Sequence, residues 1–350
     1  MRKKIIPLML FMGLTLSSLA QIDTSATLVV EKNQEAELAY NKGVAALQKQ
    51  QYGEAITSFT NAVSFKPNFT QAHVNLGVAL SAIGNYEQAI AAFDHALDLD
   101  GTQGQVWNAR GMAFFHNRNY SAAIESFQKA IDVQYRSEDT FYYLGAAFFL
   151  TENYERAIES YNEVVKISPT NANAYSDRAS CYKMLEKFKE AEQDYRKAIG
   201  LNPQFYVAWD NLGSLQVREK NYDAAISSFS KAIAQKNDFY IAYNNRGEAY
   251  FLKGEYTAAS QDFQKALELN PKYSFVYNNI GIMLAQQNKH IEAIEAYSKA
   301  IRLDASYGAA YFHRANSYEL LQDFDKSCSD LKKARSTGFT VSDGFLSGCN

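Results

Sequence analysis

The feature that most constrains this chain is an internal period of 34 residues, kept without insertion or deletion from Ala36 to Val341. Nine units fill that span: 36–69, 70–103, 104–137, 138–171, 172–205, 206–239, 240–273, 274–307 and 308–341. Position 8 of the unit reads Gly43, Gly77, Gly111, Gly145, Ala179, Gly213, Gly247, Gly281 and Ala315. Position 20 is Ala throughout until Ser327, and position 27 is Ala except at Val164. Position 24 is a ring in eight units (Phe59, Phe93, Phe127, Tyr161, Tyr195, Phe229, Phe263, Tyr297), then Leu331. Two helices approach closely only where side chains are small, and large rings beside that contact fill the remaining space. Four of the five prolines stand at position 32 (Pro67, Pro169, Pro203, Pro271), where a residue lacking an amide hydrogen ends the second helix. A unit of this size cannot bury its apolar face alone, so neighbours must stack into a continuous core.

This pattern resembles the tetratricopeptide repeat family over residues 36–341. The resemblance implies an all-α, right-handed superhelical solenoid of nine helix–turn–helix repeats, with the first helix of each lining a concave groove. It also implies a function: binding peptides or partner proteins in that groove, without catalysis. The groove stripe of the family falls on positions 2, 5, 9 and 12, which share a helix face. Carried onto this chain, it nominates Asn108, Met112, Phe115, Tyr142, Phe149, Asp210, Val217, Asn244, Glu248, Phe251, Asn278 and Ile282. Apolar anchors mixed with amides suit an extended peptide or a partner helix. The carboxylate clamp by which some family members hold acidic chaperone tails needs Lys at position 5, and no unit has it. An alternative reading makes the chain a carrier or receptor for a glycan, lipid or cell-wall fragment, with Tyr142, Tyr143, Phe148 and Phe149 stacking on sugar. Solenoid ends also stack readily, which leaves self-association open.

Position 7 alternates between a base and an aliphatic: Lys42, Leu76, Arg110, Leu144, Arg178, Leu212, Arg246, Ile280, Arg314. The underlying block is therefore 68 residues. The bases read as structural, their stems covering a neighbour and their ends reaching a carboxylate or water.

The first 20 residues read as an export signal: Arg2, Lys3 and Lys4, an apolar stretch to about Leu16, then small residues Ser18 and Ala20 before a cleavage site. Its removal leaves 21–35 as an N-terminal linker and takes the formal net charge from −3 to −6. A mildly acidic chain argues against a nucleic-acid partner, and no later stretch is apolar enough to span a membrane. The expected location is the periplasm or the cell exterior. No two of the five histidines have helical metal-pair spacing, and no phosphate loop or nucleophile elbow occurs, so no cofactor, metal site or catalytic set is expected. His73 and His290 occupy ring positions and read as packing substitutes. Cys181 reads as a buried free thiol. At residues 342–350 a capping tail is expected, Phe345 and Leu346 folding over the last helix under a Cys328–Cys349 disulfide, which an oxidising compartment permits.

Overall fold

The structure, a computed structural model, describes residues 24–349, with side chains from residue 31 onward. The export signal at 1–20 lies outside the described residues. All described secondary structure is helical, and the chain divides into two compact units. Of the described residues, the first comprises 24–119 and 132–134, the second 120–131 and 135–349.

In the first unit lie α1 (Thr24–Gln48), α2 (Tyr52–Phe65), α3 (Thr70–Ala82), α4 (Tyr86–Leu99) and α5 (Gly104–His116). Helix α6 (Tyr120–Asp132) opens the second unit. It continues with α7 (Glu138–Leu150), α8 (Tyr154–Ile167), α9 (Ala172–Met184), α10 (Phe188–Leu201), α11 (Tyr206–Arg218) and α12 (Tyr222–Gln235). Then follow α13 (Tyr240–Lys253), α14 (Tyr256–Leu269), α15 (Ser274–Gln286), α16 (His290–Leu303), α17 (Gly308–Leu320), α18 (Phe324–Ser336) and a short α19 (Asp343–Leu346). In the first unit each helix from α1 to α5 packs on the next in sequence, and in the second each from α7 to α19 does; alternate first helices also touch, as α9 does α11 and α13 does α15. The all-α class and the helix–turn–helix element are those read from the sequence.

The small and large positions of the repeat meet as their chemistry requires. The ring at position 24 lies directly on the glycine at position 8, sixteen residues earlier. A methyl on Gly281 would stand 2.4 Å from Tyr297 Cε1, and one on Gly213 2.6 Å from Phe229 Cε1. The rings Phe59, Phe93, Phe229, Phe263 and Tyr297 are almost wholly buried, with the alanines of positions 20 and 27 beside them. At Gly145 the corresponding distance to Tyr161 is 3.0 Å. Gly281→Ala is therefore expected to lower stability by about 1–3 kcal/mol, overpacking outweighing the gain in helix propensity. Gly145→Ala should cost far less. In a Tyr297→Leu background the Gly281→Ala cost should shrink, since the last repeat already pairs Ala315 with Leu331. Urea midpoints of the four variants check this; equal costs at both glycines would refute it.

Each unit turns at position 15 through a left-handed residue, for example Glu152 (φ 60°), Lys220 (φ 59°) and Gly254 (φ 89°). The ring at position 4 ties the repeat to its predecessor: Trp107 and Trp209 donate Nε1–H to the carbonyls of Gly101 and Pro203 at 2.9 and 3.0 Å. His73 does the same work, its Nε2 lying 2.8 Å from the Pro67 carbonyl. His290 keeps its ring position, with Nδ1 buried and without a hydrogen bond.

Position 7 is resolved as structural. Arg178, Arg246 and Arg314 each donate Nε and Nη2 to both carboxylate oxygens of the aspartate at position 23 of their own unit, Asp194, Asp262 and Asp330, at 2.7–2.8 Å. The third nitrogen, Nη1, reaches position 25 of the preceding unit: Asn162, Ser230 and Ser298. These guanidinium groups thus rivet two second helices together.

One reading changes at the N-terminal end: residues 24–35, expected as linker, are the first turns of α1, which runs ahead of the repeat phase. The capping tail expected at 342–350 contains the four-residue α19. Phe345 meets the Phe312 ring edge-on at 5.3 Å while staying half exposed; Leu346 and Cys349 join the last apolar cluster. Arg335 holds this segment by donating to the Val341 carbonyl and Asp343 at 2.8 and 2.7 Å. The sulfurs of Cys328 and Cys349 are 2.00 Å apart. Cys181 is free and fully buried, and burial pushes its thiol up to about 12.

Candidate functional site

The helix face nominated by the sequence separates into two rows. Position 5 points at the first helix of the following repeat. In the second unit Asp210, Asn244 and Asn278 are at most 7 % exposed there, and Asn108 of the first unit is 8 % exposed, so these side chains do not present open polar groups to a partner, contrary to the expectation. The reason is a hydrogen-bonded rung between position 5 of one repeat and position 6 of the next, 35 residues on. Asn75 Nδ2 donates to Tyr40 Oη at 3.1 Å, and Tyr142 Oη donates to Asp177 Oδ2 at 2.6 Å. Asn245 Nδ2 donates to both oxygens of Asp210 at 3.1 and 3.2 Å, and Asn279 Nδ2 to Asn244 Oδ1 at 3.0 Å. Asn244 Nδ2 donates in turn to Asn245 Oδ1 at 3.1 Å, linking two rungs. After Asn278 the ladder stops: position 6 of the last repeat is His313, and Asn278 Oδ1 is buried without a hydrogen bond. Burial also lowers the His313 pKa.

Within each unit positions 9 and 12 form the second row: Met112 and Phe115 in the first unit, and Phe149, Val217, Glu248, Phe251 and Ile282 in the second, are all half-buried. Their rings are partly engaged, Phe149 edge-on with Tyr154 at 5.5 Å and Phe251 against Tyr256 at 6.0 Å. Met112 Sδ lies 3.7 Å from Asn108 Nδ2.

Between successive first helices this row opens into clefts. In the first unit, a cleft of about 380 Å³ is lined by Val78, Ser81, Tyr86, Phe93, Ala109, Met112 and neighbours. In the second unit, one of about 250 Å³ is lined by Ala146, Phe149, Leu150, Tyr161, Asp177 and Ser180. Both occupy the same phase: positions 9, 12 and 13 of an even repeat, positions 6 and 9 of the odd repeat after it, and the position 24 ring as floor. Sequence reading missed these clefts, though the 68-residue alternation was the signal that adjacent junctions differ.

Acidic groups gather along the same face of the second unit. Burial raises the pKa of Asp177, against the Tyr142 hydrogen bond. Asp210 is pushed up to about 6, burial outweighing the Asn245 bond and the attraction of Lys183. Lys183 is itself lowered by burial, opposed by Asp210. Glu248 is raised by burial. Tyr273 and Tyr307 are pushed up to about 12, chiefly by burial, with the Glu248 charge acting in the same direction. Among the described residues no cluster of three His, Cys, Asp or Glu side chains is placed to hold a metal ion, and no helix is long and apolar enough to cross a membrane. What this face offers is a row of half-open apolar and polar surfaces on a rigid hydrogen-bonded backing.

Models of the tetratricopeptide repeat match residues 40–105, 74–139, 108–172, 172–205, 206–239, 240–273 and 274–307. Comparison with the curated proteins returned no match. Among solved structures, a tetratricopeptide repeat protein from Parabacteroides merdae aligns with a TM-score of 0.60 at 18 % identity, over 71 % of this chain and 98 % of that one. The Pseudomonas aeruginosa protein pilF aligns with a TM-score of 0.50 at 17 % identity, over 59 % and 94 %. YrrB, described as a TPR protein with an unusual peptide-binding site, gives a TM-score of 0.48 at 23 % identity over 53 % and 95 %. Proteins built on such repeats serve as interaction scaffolds for protein or peptide partners. With its 34-residue phase, its glycine-to-ring contacts and the repeat models matched across residues 40–307, the chain belongs to the tetratricopeptide repeat family.

Proposed function

We propose that the chain is an exported, non-catalytic scaffold that binds an extended peptide or a segment of a partner protein along the position 9 and 12 row. The observation carrying this is the division of the helix face. Position 5 is consumed by inter-repeat rungs, whereas positions 9 and 12 stay half-open and frame clefts of side-chain size. A peptide laid on such a row gains apolar anchors without disturbing the backing. Export is supported by the Arg2–Ala20 segment and by the pairing of Cys328 with Cys349, which suits an oxidising compartment. The glycan-carrier reading has weaker support: Phe148 is buried, the Tyr142 hydroxyl is taken by Asp177, and Phe149 leans on Tyr154.

Photocrosslinking amino acids placed at Val217 and Phe251, against a control at the exposed Lys197 of α10, test the row. Peptide or protein adducts are expected from the first two sites only; equal labelling from Lys197 would reject the assignment. N-terminal sequencing of the chain recovered from an envelope fraction should begin at Gln21. An intact N-terminus in the cytosolic fraction would reject export.

A further inference from the structure

The cleft between α7 and α9 contains a carboxylate that the fold satisfies at one oxygen only. The second unit's other deeply placed aspartates are matched: Asp194, Asp262 and Asp330 each hold an arginine, and Asp210 holds Asn245 and lies in the field of Lys183. Asp177 has one hydrogen bond, from Tyr142 to Oδ2, and no ion pair among the described residues. Its neighbour Arg178 is spoken for by Asp194 and Asn162. Ser180, also in the cleft, is engaged with the Tyr195 hydroxyl at 3.0 Å and donates to the Ser176 carbonyl at 3.1 Å. Asp177 Oδ1 accepts no hydrogen bond among the described residues, and Asp177 lines a slot together with Ala146, Phe149, Leu150 and Tyr161.

Resting on the peptide-binding reading above, we propose that this slot takes one lysine or arginine side chain of the bound peptide. The aliphatic stem would lie on Phe149 and Leu150, and the cationic end would meet Asp177. Three properties select that occupant. An uncompensated carboxylate in a partly desolvated cleft excludes anions and favours a cation able to donate hydrogen bonds. Aromatic walls add attraction for a cation over their faces. The volume, about 250 Å³, falls below the roughly 300–1,000 Å³ of small-molecule sites and fits a single side chain. Asp177 is also raised by burial, as a carboxylate awaiting a partner would be. In the phase-equivalent cleft of the first unit, Ala109 replaces Asp177 and Met112 replaces Ser180, so that slot suits an apolar side chain.

The test uses the full exported chain and synthetic random decapeptides with one central residue fixed as Arg, Lys, citrulline or norleucine, read by anisotropy. Arg and Lys pools are expected to bind about ten-fold tighter than the citrulline and norleucine pools, the size of one charge-assisted hydrogen bond. Asp177→Asn should erase that ratio while leaving the citrulline pool unchanged. Ala146→Met, which narrows the slot without touching the carboxylate, should reduce the ratio at least five-fold, and it decides the matter if Asp177→Asn fails to fold by circular dichroism. Pools that bind with no basic preference, or a preference that survives these variants, would overturn the slot and leave the peptide reading standing. Absence of binding by every pool would overturn both.

Discussion

Arg246→Leu is expected to destabilise its repeat by about 3–5 kcal/mol, and adding Asp262→Ser should recover a large part of that loss. The single change strips a buried carboxylate of its bidentate partner: Arg246 and Asp262 side chains are 19 % and 8 % exposed, and two of the three guanidinium bonds end on that aspartate. An uncompensated buried charge is far more costly than the intact pair is favourable. The double change reproduces what the even repeats already contain. Repeat six has Leu212 at position 7 and Ser228 at position 23, with the Ser228 hydroxyl donating to Gln216 Oε1 at 2.7 Å. Repeat eight has Ile280 and Ala296 at those positions. A double-mutant cycle should therefore show coupling of about 2 kcal/mol or more. Because stacked repeats unfold in local steps, amide exchange across α13 and α14 should accompany the urea midpoints. Strictly additive losses would show that the arginine acts through its stem alone.

The repeat period, the hairpin element and the glycine-to-ring contact were legible in the sequence because each rests on local size and periodicity. Position 8 could only be small if position 24 was to be large, and the sixteen-residue spacing recurred often enough to see. The structural role of the position 7 arginines was legible too. Their partners could have been found from the same rows: in repeats five, seven and nine an Arg at position 7 is followed sixteen residues later by Asp, and the even repeats lack both. Position 5 was misplaced for a physical reason. Helical periodicity tells which side chains share a face, but not which part of that face the next repeat covers. Asp210, Asn244 and Asn278 sit on the inner edge of the stripe, and their burial depends on the tilt between neighbouring first helices. The Asp177 slot was invisible on similar grounds, since its walls come from two repeats and its character from a hydrogen bond that Asp177 receives instead of an ion pair.

That tilt has a measurable electrostatic consequence at Asp210, where Asp210→Asn is expected to stabilise the fold at neutral pH. Asp210 is 7 % exposed, and its pKa rises from 3.8 to about 6, first because burial penalises the charge. A carboxyl with a higher pKa folded than unfolded binds more protons in the native state. Stability therefore falls as pH rises from about 4 to about 6 and is flat above that. At pH 7 the ionised group costs up to about 2–3 kcal/mol. Asparagine removes that charge and keeps the rung, since its Oδ1 can accept from Asn245 as Asn244 Oδ1 accepts from Asn279 at 3.0 Å. Lys183 works the other way, because its attraction to Asp210 is lost in the variant. That attraction ranks below both burial and the Asn245 bond among the influences on Asp210, so the net effect should favour the variant. The expected gain is about 1–3 kcal/mol at pH 7, vanishing near pH 4, read as the difference between variant and parent so that other titrating acids such as Glu248 cancel. A variant less stable than the parent at pH 7 would mean that the Lys183–Asp210 attraction outweighs burial. The pair would then be a net stabilising element of the groove wall.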